Sequence, residues 1–458
     1  MDNSYRHSGL LTDLYELTMA AGYVETGFDA RASFELFVRT FPPRRSYLVA
    51  AGLEQALEFL ENVRFGPEEI AYLKRHPAFQ HIGSSFFDYL AAFRFTGDVW
   101  GMPEGTVFFS GEPMLRVTAP IAEAQIVETY LLATINFQTM IASKAARVVT
   151  AASGRGVIEF GTRRAHGIES GVLAARAAHI GGCQGTSNAL AGQRFGIPTY
   201  GTQAHSWIMA HDSEEEAFRK FLDIFPDHAV LLVDTYDVRA AVEKIIAIGR
   251  KPRGVRLDSG DLAGDSAWVR WRLDKAGWND VLVFASGDLD EDRIEELLRH
   301  GACIDAFGVG TALATSADAP TLGVIYKLVE VERGGEVHNA VKLSEAKVTY
   351  PGRKQVFRFA GASGKYTEDV IALEEEQFAR AEPLLVPVMR GGKRAEAASQ
   401  PGTLDEARKR CLAGLERLPE AIRYGAPGTR DGYLVRYSEG LKELFERVRQ
   451  RVERAARI

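Results

Sequence analysis

Between about Val157 and Thr311 the chain repeats one pattern: a short apolar run, a polar cluster, then an amphipathic stretch. The apolar runs are residues 157–160, 197–200, 229–233, 254–257, 281–284 and 304–307. The later ones are separated by residues 213–225, 238–249, 261–276 and 290–300, which carry apolar residues at helical spacing. Alternating strands and helices imply a parallel sheet, because each crossover returns the chain to the same end of the sheet with right-handed sense. The pattern therefore predicts an α/β fold, either a doubly wound sheet or an irregular barrel.

Each run leads into polar residues: GTRRAHG, GTQAHSW, DTYD, DSGD, ASGD and GVGT, in chain order. In parallel α/β folds the carboxyl ends of the strands share one face, and ligands bind there. Ser286, Gly287 and Asp288 precede one predicted helix, and Gly308, Gly310 and Thr311 precede another. Glycine lets backbone N–H groups approach an anion, so both are candidate phosphate cradles as well as plain turns. Asp258 and Asp261 flank a Ser-Gly turn, suited to a sugar diol or Mg²⁺, or to a turn and a helix cap. Arg163, Arg164 and Arg256 bring planar cationic forks to the same face, which match carboxylate or phosphate. His205 follows Gly201 and Thr202, and Asp234 ends the next run. A histidine supported by a carboxylate can serve as base or as covalent nucleophile.

These sites must do the anion binding locally, since the formal net charge is -6. A chain of that sign is not drawn to nucleic acid or to an anionic membrane. It offers no signal-like apolar start and no run of the ~20 apolar residues that a membrane helix needs. Its three cysteines, Cys183, Cys303 and Cys411, are far apart and frame neither a disulfide scaffold nor a CxxC metal site. A cytoplasmic protein is the expectation.

The 458 residues suggest more than one domain. Residues 1–120 read as an N-terminal α/β domain, with helices at 13–24, 51–62 and 67–74, a strand at 33–38 and short strands within 95–117. Residues 121–320 read as the catalytic barrel, entered through a long helical region at 121–152 that is broken at most once. Strands within 321–390 complete the first domain, 390–402 is a linker, and 391–458 is a helical segment with helices at 404–418 and 432–457.

The set TDLYELTMA, EFGTRRAHG, GTSNALAG, YGTQAHSWIMAH, RLDSGDL and FGVGT, in that order, resembles the nicotinate phosphoribosyltransferases. The resemblance implies the fold of the type II phosphoribosyltransferases: an irregular α/β barrel, an additional α/β domain and C-terminal helices. It implies a homodimer with active sites at the interface, and the substrates nicotinate, phosphoribosyl pyrophosphate and ATP, with Mg²⁺. The products would be nicotinate mononucleotide and pyrophosphate, in NAD biosynthesis and salvage. By the same resemblance Tyr15 of one subunit and Phe160 of the other sandwich the pyridine ring, although Phe160 by itself reads as a core strand residue. Arg163 and Arg256 surround nicotinate and the phosphoribosyl group, with Thr202 among the binding residues. His205 is the phosphohistidine, Asp234 its carboxylate partner and Asp258 the ribose ligand. Gly287 and residues 308–311 form the 5′-phosphate site.

Ser187 in GTSNALAG bears on the choice between acid and amide. The nicotinamide-using relatives carry Asp at the matching position. A neutral serine imposes no repulsion on a carboxylate and can donate a hydrogen bond to it. Ser187 could also simply cap the helix expected at 188–194. Besides the nicotinamide enzyme, the alternative is a non-catalytic nucleotide sensor on the same scaffold.

Overall fold

Six strands from the middle of the chain pair in parallel, in the spatial order Gly185–Thr186, Gly156–Glu159, Ala306–Val309, Leu282–Ala285, Gly254–Leu257 and Val230–Leu232. A parallel bridge between Thr186 and Thr199 extends the row by one residue. Among the described residues no ladder joins the two ends of this row. This computed structural model describes residues 3–343, 348–395, 403–425 and 433–455. The sheet belongs to one of two compact units, residues 141–320; the other unit comprises residues 1–140 and 321–458.

The strands of the parallel sheet are apolar because helices cover them. Val255, Leu257, Val283, Ala285, Phe307 and Val309 are all 0% exposed. Four helices follow the expected amphipathic stretches: Glu214–Ile224, Val238–Ile248, Leu262–Lys275 and Glu291–Arg299. Each begins at a side-chain cap, respectively Ser213, Asp237, Asp261 and Asp290, which accepts a backbone N–H of the first turn. Phe218, Leu222, Val242, Ile245, Val269, Leu273, Ile294 and Leu297 form their buried faces.

One strand differs from expectation. Residues 197–200 join the sheet only through the Thr199 bridge, and the sixth strand is Gly185–Thr186. Pro198 lacks an N–H to contribute to a ladder, but its carbonyl accepts one from Thr186 at 3.0 Å.

The other unit is built on antiparallel pairing. Its main sheet has seven strands, with Arg31–Val38 between Val324–Arg333 and Pro113–Pro120. Phe34 stacks on Tyr326 across the first of these pairs, with ring centroids 4.8 Å apart. A second sheet places Lys354–Ala360 beside Tyr366–Leu373, and Leu434–Tyr437 pairs with the latter in parallel. Leu434–Tyr437 lies where the sequence predicts the start of the last helix, which instead spans Glu439–Ala455. Lys393–Arg394 forms a hairpin with Val386–Arg390 inside the expected linker, of which residues 396–402 lie outside the described residues. Helix Ser84–Ala92 has no counterpart in the sequence reading. The helical region after Pro120 is broken once, at Val127, between Ile121–Ile126 and Glu128–Ala151. No helix among the described residues is long and apolar enough to cross a membrane.

Candidate active site

A pocket of about 420 Å³ opens at the carboxyl ends of the parallel strands. Five of the six predicted polar clusters contribute to its wall, and so does Ser187. The chain follows the ladder past each strand. Phe160 N–H donates to the Val309 carbonyl at 2.8 Å, and Ser286 N–H to that of Leu257 at 2.9 Å.

Arg256 organises the floor. Its guanidinium donates to Ser286 Oγ at 2.7 Å, to Thr202 Oγ1 at 2.7 Å and to Asp258 Oδ1 at 2.5 Å. Ser286 in turn donates to Asp258 Oδ1 at 2.5 Å. Burial opposes ionisation of Asp258. The hydrogen bonds from Ser286 and Arg256, with the charge of Arg256, outweigh it and hold the carboxyl below its ordinary range. Asp258 is therefore an anion at neutral pH, with its second oxygen free of Arg256. Phe160 lines the same cavity, with the Arg256 guanidinium 5.9 Å from its ring centroid and Phe284 behind it at 5.6 Å.

The two glycine clusters face this floor. Gly287 has φ +93, and a Cβ there would come within 1.8 Å of the Asp258 carbonyl oxygen. Only glycine fits so close to a backbone oxygen with that dihedral. Asp288 follows at φ +45. A Cβ on Gly308 would meet the Phe160 ring at 2.6 Å, so the ring's place depends on the missing side chain. Gly308 lies inside the strand Ala306–Val309, and Gly310 and Thr311 open the short helix Thr311–Ala314.

His205 starts helix His205–Met209 and stands at the edge of the pocket, with its side chain 41% exposed. Its Nδ1 lies 3.2 Å from Thr235 Oγ1 and its Nε2 3.8 Å from Asp258 Oδ2. The carboxylate facing the imidazole is thus that of Asp258. Asp234 turns one oxygen to the Asp258 N–H at 2.9 Å and to the Ser259 hydroxyl at 2.7 Å. Its other oxygen is buried without a hydrogen-bond partner. Asp261 is exposed and caps its helix by accepting the Gly264 N–H at 3.1 Å.

Arg163 and Arg164 form a short turn of 3-10 helix, are exposed, and line the pocket wall. Ser187 is exposed on the same wall. The cap of helix Ala189–Phe195 is Asn188, which accepts the Ala191 N–H at 2.9 Å, so Ser187 is not needed for it. Tyr15 lies in the other unit, on helix Leu14–Glu25, 47% exposed, and burial together with the charges of Glu128 and Glu16 raises the pKa of its hydroxyl.

Sequence reading missed Glu159. This fully buried carboxylate ends its strand and accepts the Gly161 N–H, and the Thr186 hydroxyl at 2.6 Å. Burial, against those hydrogen bonds, raises its pKa. It ties the loop bearing Arg163 to the loop bearing Ser187. Its signal was the one charge in an otherwise apolar run.

Residues 10–136 match the family model described as the nicotinate phosphoribosyltransferase N-terminal domain, and residues 156–369 that of the nicotinate phosphoribosyltransferase family. Over 425 residues the chain is 46% identical to nicotinate phosphoribosyltransferase pncB2 of Mycobacterium tuberculosis, covering 91% of this chain and 89% of that protein. It is 45% identical over 379 residues to nicotinate phosphoribosyltransferase of Bacillus subtilis, covering 80% and 76%. The crystal structure of human nicotinic acid phosphoribosyltransferase superposes with a TM-score of 0.82 at 28% identity, covering 95% of this chain and 99% of that one.

Proposed function

From the premise that the chain belongs to the nicotinate phosphoribosyltransferase family, we propose that the pocket around Arg256 and Asp258 is where its transfer reaction takes place. The chain is a nicotinate phosphoribosyltransferase in fold and activity, forming nicotinate mononucleotide and pyrophosphate in NAD biosynthesis. The observation that carries the assignment is the convergence of an ionised carboxylate, three arginines, an aromatic face and two glycine turns on one cavity.

Phe160 provides one face for the pyridine ring, and Tyr15 of the partner subunit the other. Planar stacking holds the ring at small entropic cost and in line with the ribose C1. Arg163 takes the nicotinate carboxylate, with a hydrogen bond from Ser187. Asp258 accepts the ribose hydroxyls, its geometry fixed by Arg256 and Ser286. Backbone N–H groups at Gly287, Asp288, Gly308, Gly310 and Thr311 surround the 5′-phosphate, with Ser286 and Thr202 beside them. The ring nitrogen attacks C1 as pyrophosphate leaves, and the arginines meet the charge that develops on the leaving group.

Magnesium fits this site. Mg²⁺ needs only one or two protein carboxylates when substrate phosphates and waters supply the rest. Asp258 is ionised and Asp234 has a buried oxygen without a partner, so these two would hold it. Bound there with the substrate, it would neutralise pyrophosphate. Asp261 is already employed as the cap of its helix.

His205 is the residue that ATP phosphorylates. Its imidazole is accessible, with Nδ1 in hydrogen-bond reach of Thr235 and Nε2 facing the Asp258 carboxylate at 3.8 Å. The phosphate it receives would place added negative charge beside the pyrophosphate region, favouring the forward reaction. Asp234 supports the histidine through the Asp258 backbone rather than by direct contact. The enzyme works as a homodimer. Leu14, Tyr15 and Met19 on one helix are exposed, as are Ile168, Leu190 and Tyr200 beside the strand-end loops, and a second copy would cover such surfaces. Three cysteines scattered far apart along the chain suit the reducing cytoplasm.

A coupled assay tests the reading: ADP release should be stimulated by nicotinate together with phosphoribosyl pyrophosphate. Incubation with ATP should leave an acid-labile phosphate on the wild type but not on His205→Ala, which keeps ATP-independent transfer. A label that survives in His205→Ala refutes the phosphohistidine assignment.

A further inference from the structure

Behind the two glycine turns lies a group of four charged side chains that the reaction does not use. Lys144 and Arg147 sit one helical turn apart on helix Glu128–Ala151. Lys144 Nζ lies 2.5 Å from Glu291 Oε2 and 2.8 Å from Asp318 Oδ1. Arg147 reaches the remaining oxygens of the same two carboxylates, at 3.0 Å from Glu291 Oε1 and 3.1 Å from Asp318 Oδ2. Each cation therefore spans both anions, and the square is neutral. It is also dry: side-chain exposure is 3% for Lys144, 6% for Glu291, 13% for Arg147 and 15% for Asp318.

The two anions occupy telling positions. Glu291 begins helix Glu291–Arg299, just past the turn Ser286-Gly287-Asp288. Asp318 follows the short helix Thr311–Ala314 that Gly310 opens. Between each turn and its anion the chain is held by burial: Leu289, ahead of Glu291, is 1% exposed, and Ser316, ahead of Asp318, is fully buried at φ +44. The square thus connects the segments carrying the two candidate phosphate turns, through two cations of one rigid helix.

A buried ion square adds little net stability that packed apolar side chains could not supply, because desolvation consumes much of the Coulomb gain. What it adds is geometry. A fork engaging two carboxylates fixes distance and angle, whereas apolar contacts tolerate sliding. We infer that Lys144 and Arg147 are positioning residues, which set the spacing of the Gly287 and Gly310 turns and thereby the grip on the phosphate end of phosphoribosyl pyrophosphate. This inference rests on the assignment of those turns to the 5′-phosphate made above.

The test is a comparison of KM values in the full-length enzyme. Lys144→Met combined with Asp318→Asn removes one charge of each sign and leaves the Arg147–Glu291 pair. Lys144→Arg keeps every charge but puts a wider head group into a square sized for an ammonium, and this mild change tests the inference should the double variant fail to fold. In both, KM for phosphoribosyl pyrophosphate should rise, by about tenfold or more in the double variant, as expected for displacement of a supporting loop by a fraction of an ångström. KM for nicotinate should stay within about twofold, because the ring and carboxylate contacts are untouched. Gly287→Ala serves as the control for the site itself. If Gly287→Ala raises KM for phosphoribosyl pyrophosphate while folded Lys144 variants do not, the bracing role is refuted and the phosphate site stands. If Gly287→Ala leaves that KM unchanged, the phosphate assignment fails and the inference with it. A parallel rise of both KM values in the Lys144 variants would show general loosening and also overturn it.

Discussion

The Arg358–Asp369 pair of one unit and the Arg256–Asp258 pair of the other have similar make-up and opposite fates. Arg358 and Asp369 are 3% and 0% exposed. Asp369 accepts three bonds from Arg358, the shortest at 2.6 Å, and another from the Tyr433 hydroxyl at 2.8 Å. Burial and then the Asp369 charge push the Glu112 carboxyl beside them well above its ordinary value. Arg256 and Asp258 also form a close pair with a hydroxyl partner, but Asp258 keeps one oxygen toward His205 and the pair lines a cavity. The first pair is saturated by the protein, and the second is held in place with capacity to spare. Leftover bonding capacity in a fixed geometry, more than charge or burial as such, separates a functional pair from a structural one.

The sharpest way to break this comparison is to mutate both pairs in the same manner. Asp258→Asn should lower kcat/KM by about 10²–10³-fold, the usual scale for losing one preorganised electrostatic contact, with little change in Tm. Asp369→Asn should do the reverse, costing about 3–5 kcal/mol of stability by leaving Arg358 unpaired, with normal turnover in the molecules that remain folded. Comparable kinetic damage from both, measured on samples corrected for folded fraction, would remove the distinction.

Ser187 extends it to a neutral side chain with nothing to cap. An Asp placed about 4 Å from the nicotinate carboxylate costs roughly 1–4 kcal/mol at effective dielectrics of 80 to 20. Ser187→Asp should therefore weaken nicotinate use by at least about tenfold, with a smaller loss or a gain for nicotinamide. Steady-state kinetics with both substrates decide it, and an unchanged acid-to-amide ratio would place Ser187 away from the carboxylate.

Asp261 is the counter-example, a carboxylate near the site that is already employed. Asp261→Ala should cost about 1 kcal/mol through the lost cap and leave both KM values unaltered. A raised KM for phosphoribosyl pyrophosphate would return Asp261 to the binding residues.

Glu16, which is 0% exposed, has an effect that shows only through pH. Burial pushes its pKa up to about 8, with the Glu128 charge acting in the same sense and the Thr129 hydrogen bond against it. The folded state then binds the proton more tightly than the unfolded state, whose carboxyl titrates near pH 4.3. Stability is thus fullest below the unfolded value, declines as pH rises through about 8, and its loss is complete only above that. Glu16→Gln should flatten this dependence and raise Tm at alkaline pH by about 2 °C, visible in thermal melts across pH. A wild-type Tm that does not fall over this range would show that Glu16 ionises without cost.

Much of this was legible in the sequence, for a physical reason: parallel strands bury both faces, so each announces itself as an apolar run followed by its functional turn. Gly185–Thr186 escaped because two small residues make no run, and residues 197–200 stood in for it because Ile, Thr and Tyr favour strands whether or not a ladder forms. Leu434–Tyr437 was absorbed into the predicted terminal helix because four residues are too few to show a period of two against a long charged stretch. In the site, the residue types and their common face could be read, but the pairing of side chains could not. Asp234 and Asp258 end neighbouring strands, and only the backbone path decides which carboxylate meets His205. Lys144, Arg147 and Glu291 drew no attention in the sequence because their partners are more than a hundred residues away in the chain.

The cap at Asn188 has a consequence for how such a protein could change over time. Since Asn188 starts the helix, the neighbouring position 187 carries no duty to the fold. A mutation there can be sampled without first acquiring a compensating change elsewhere. The discrimination between an acid and its amide is thereby uncoupled from foldability, and a library randomised at this one codon would explore substrate preference on a nearly flat stability background.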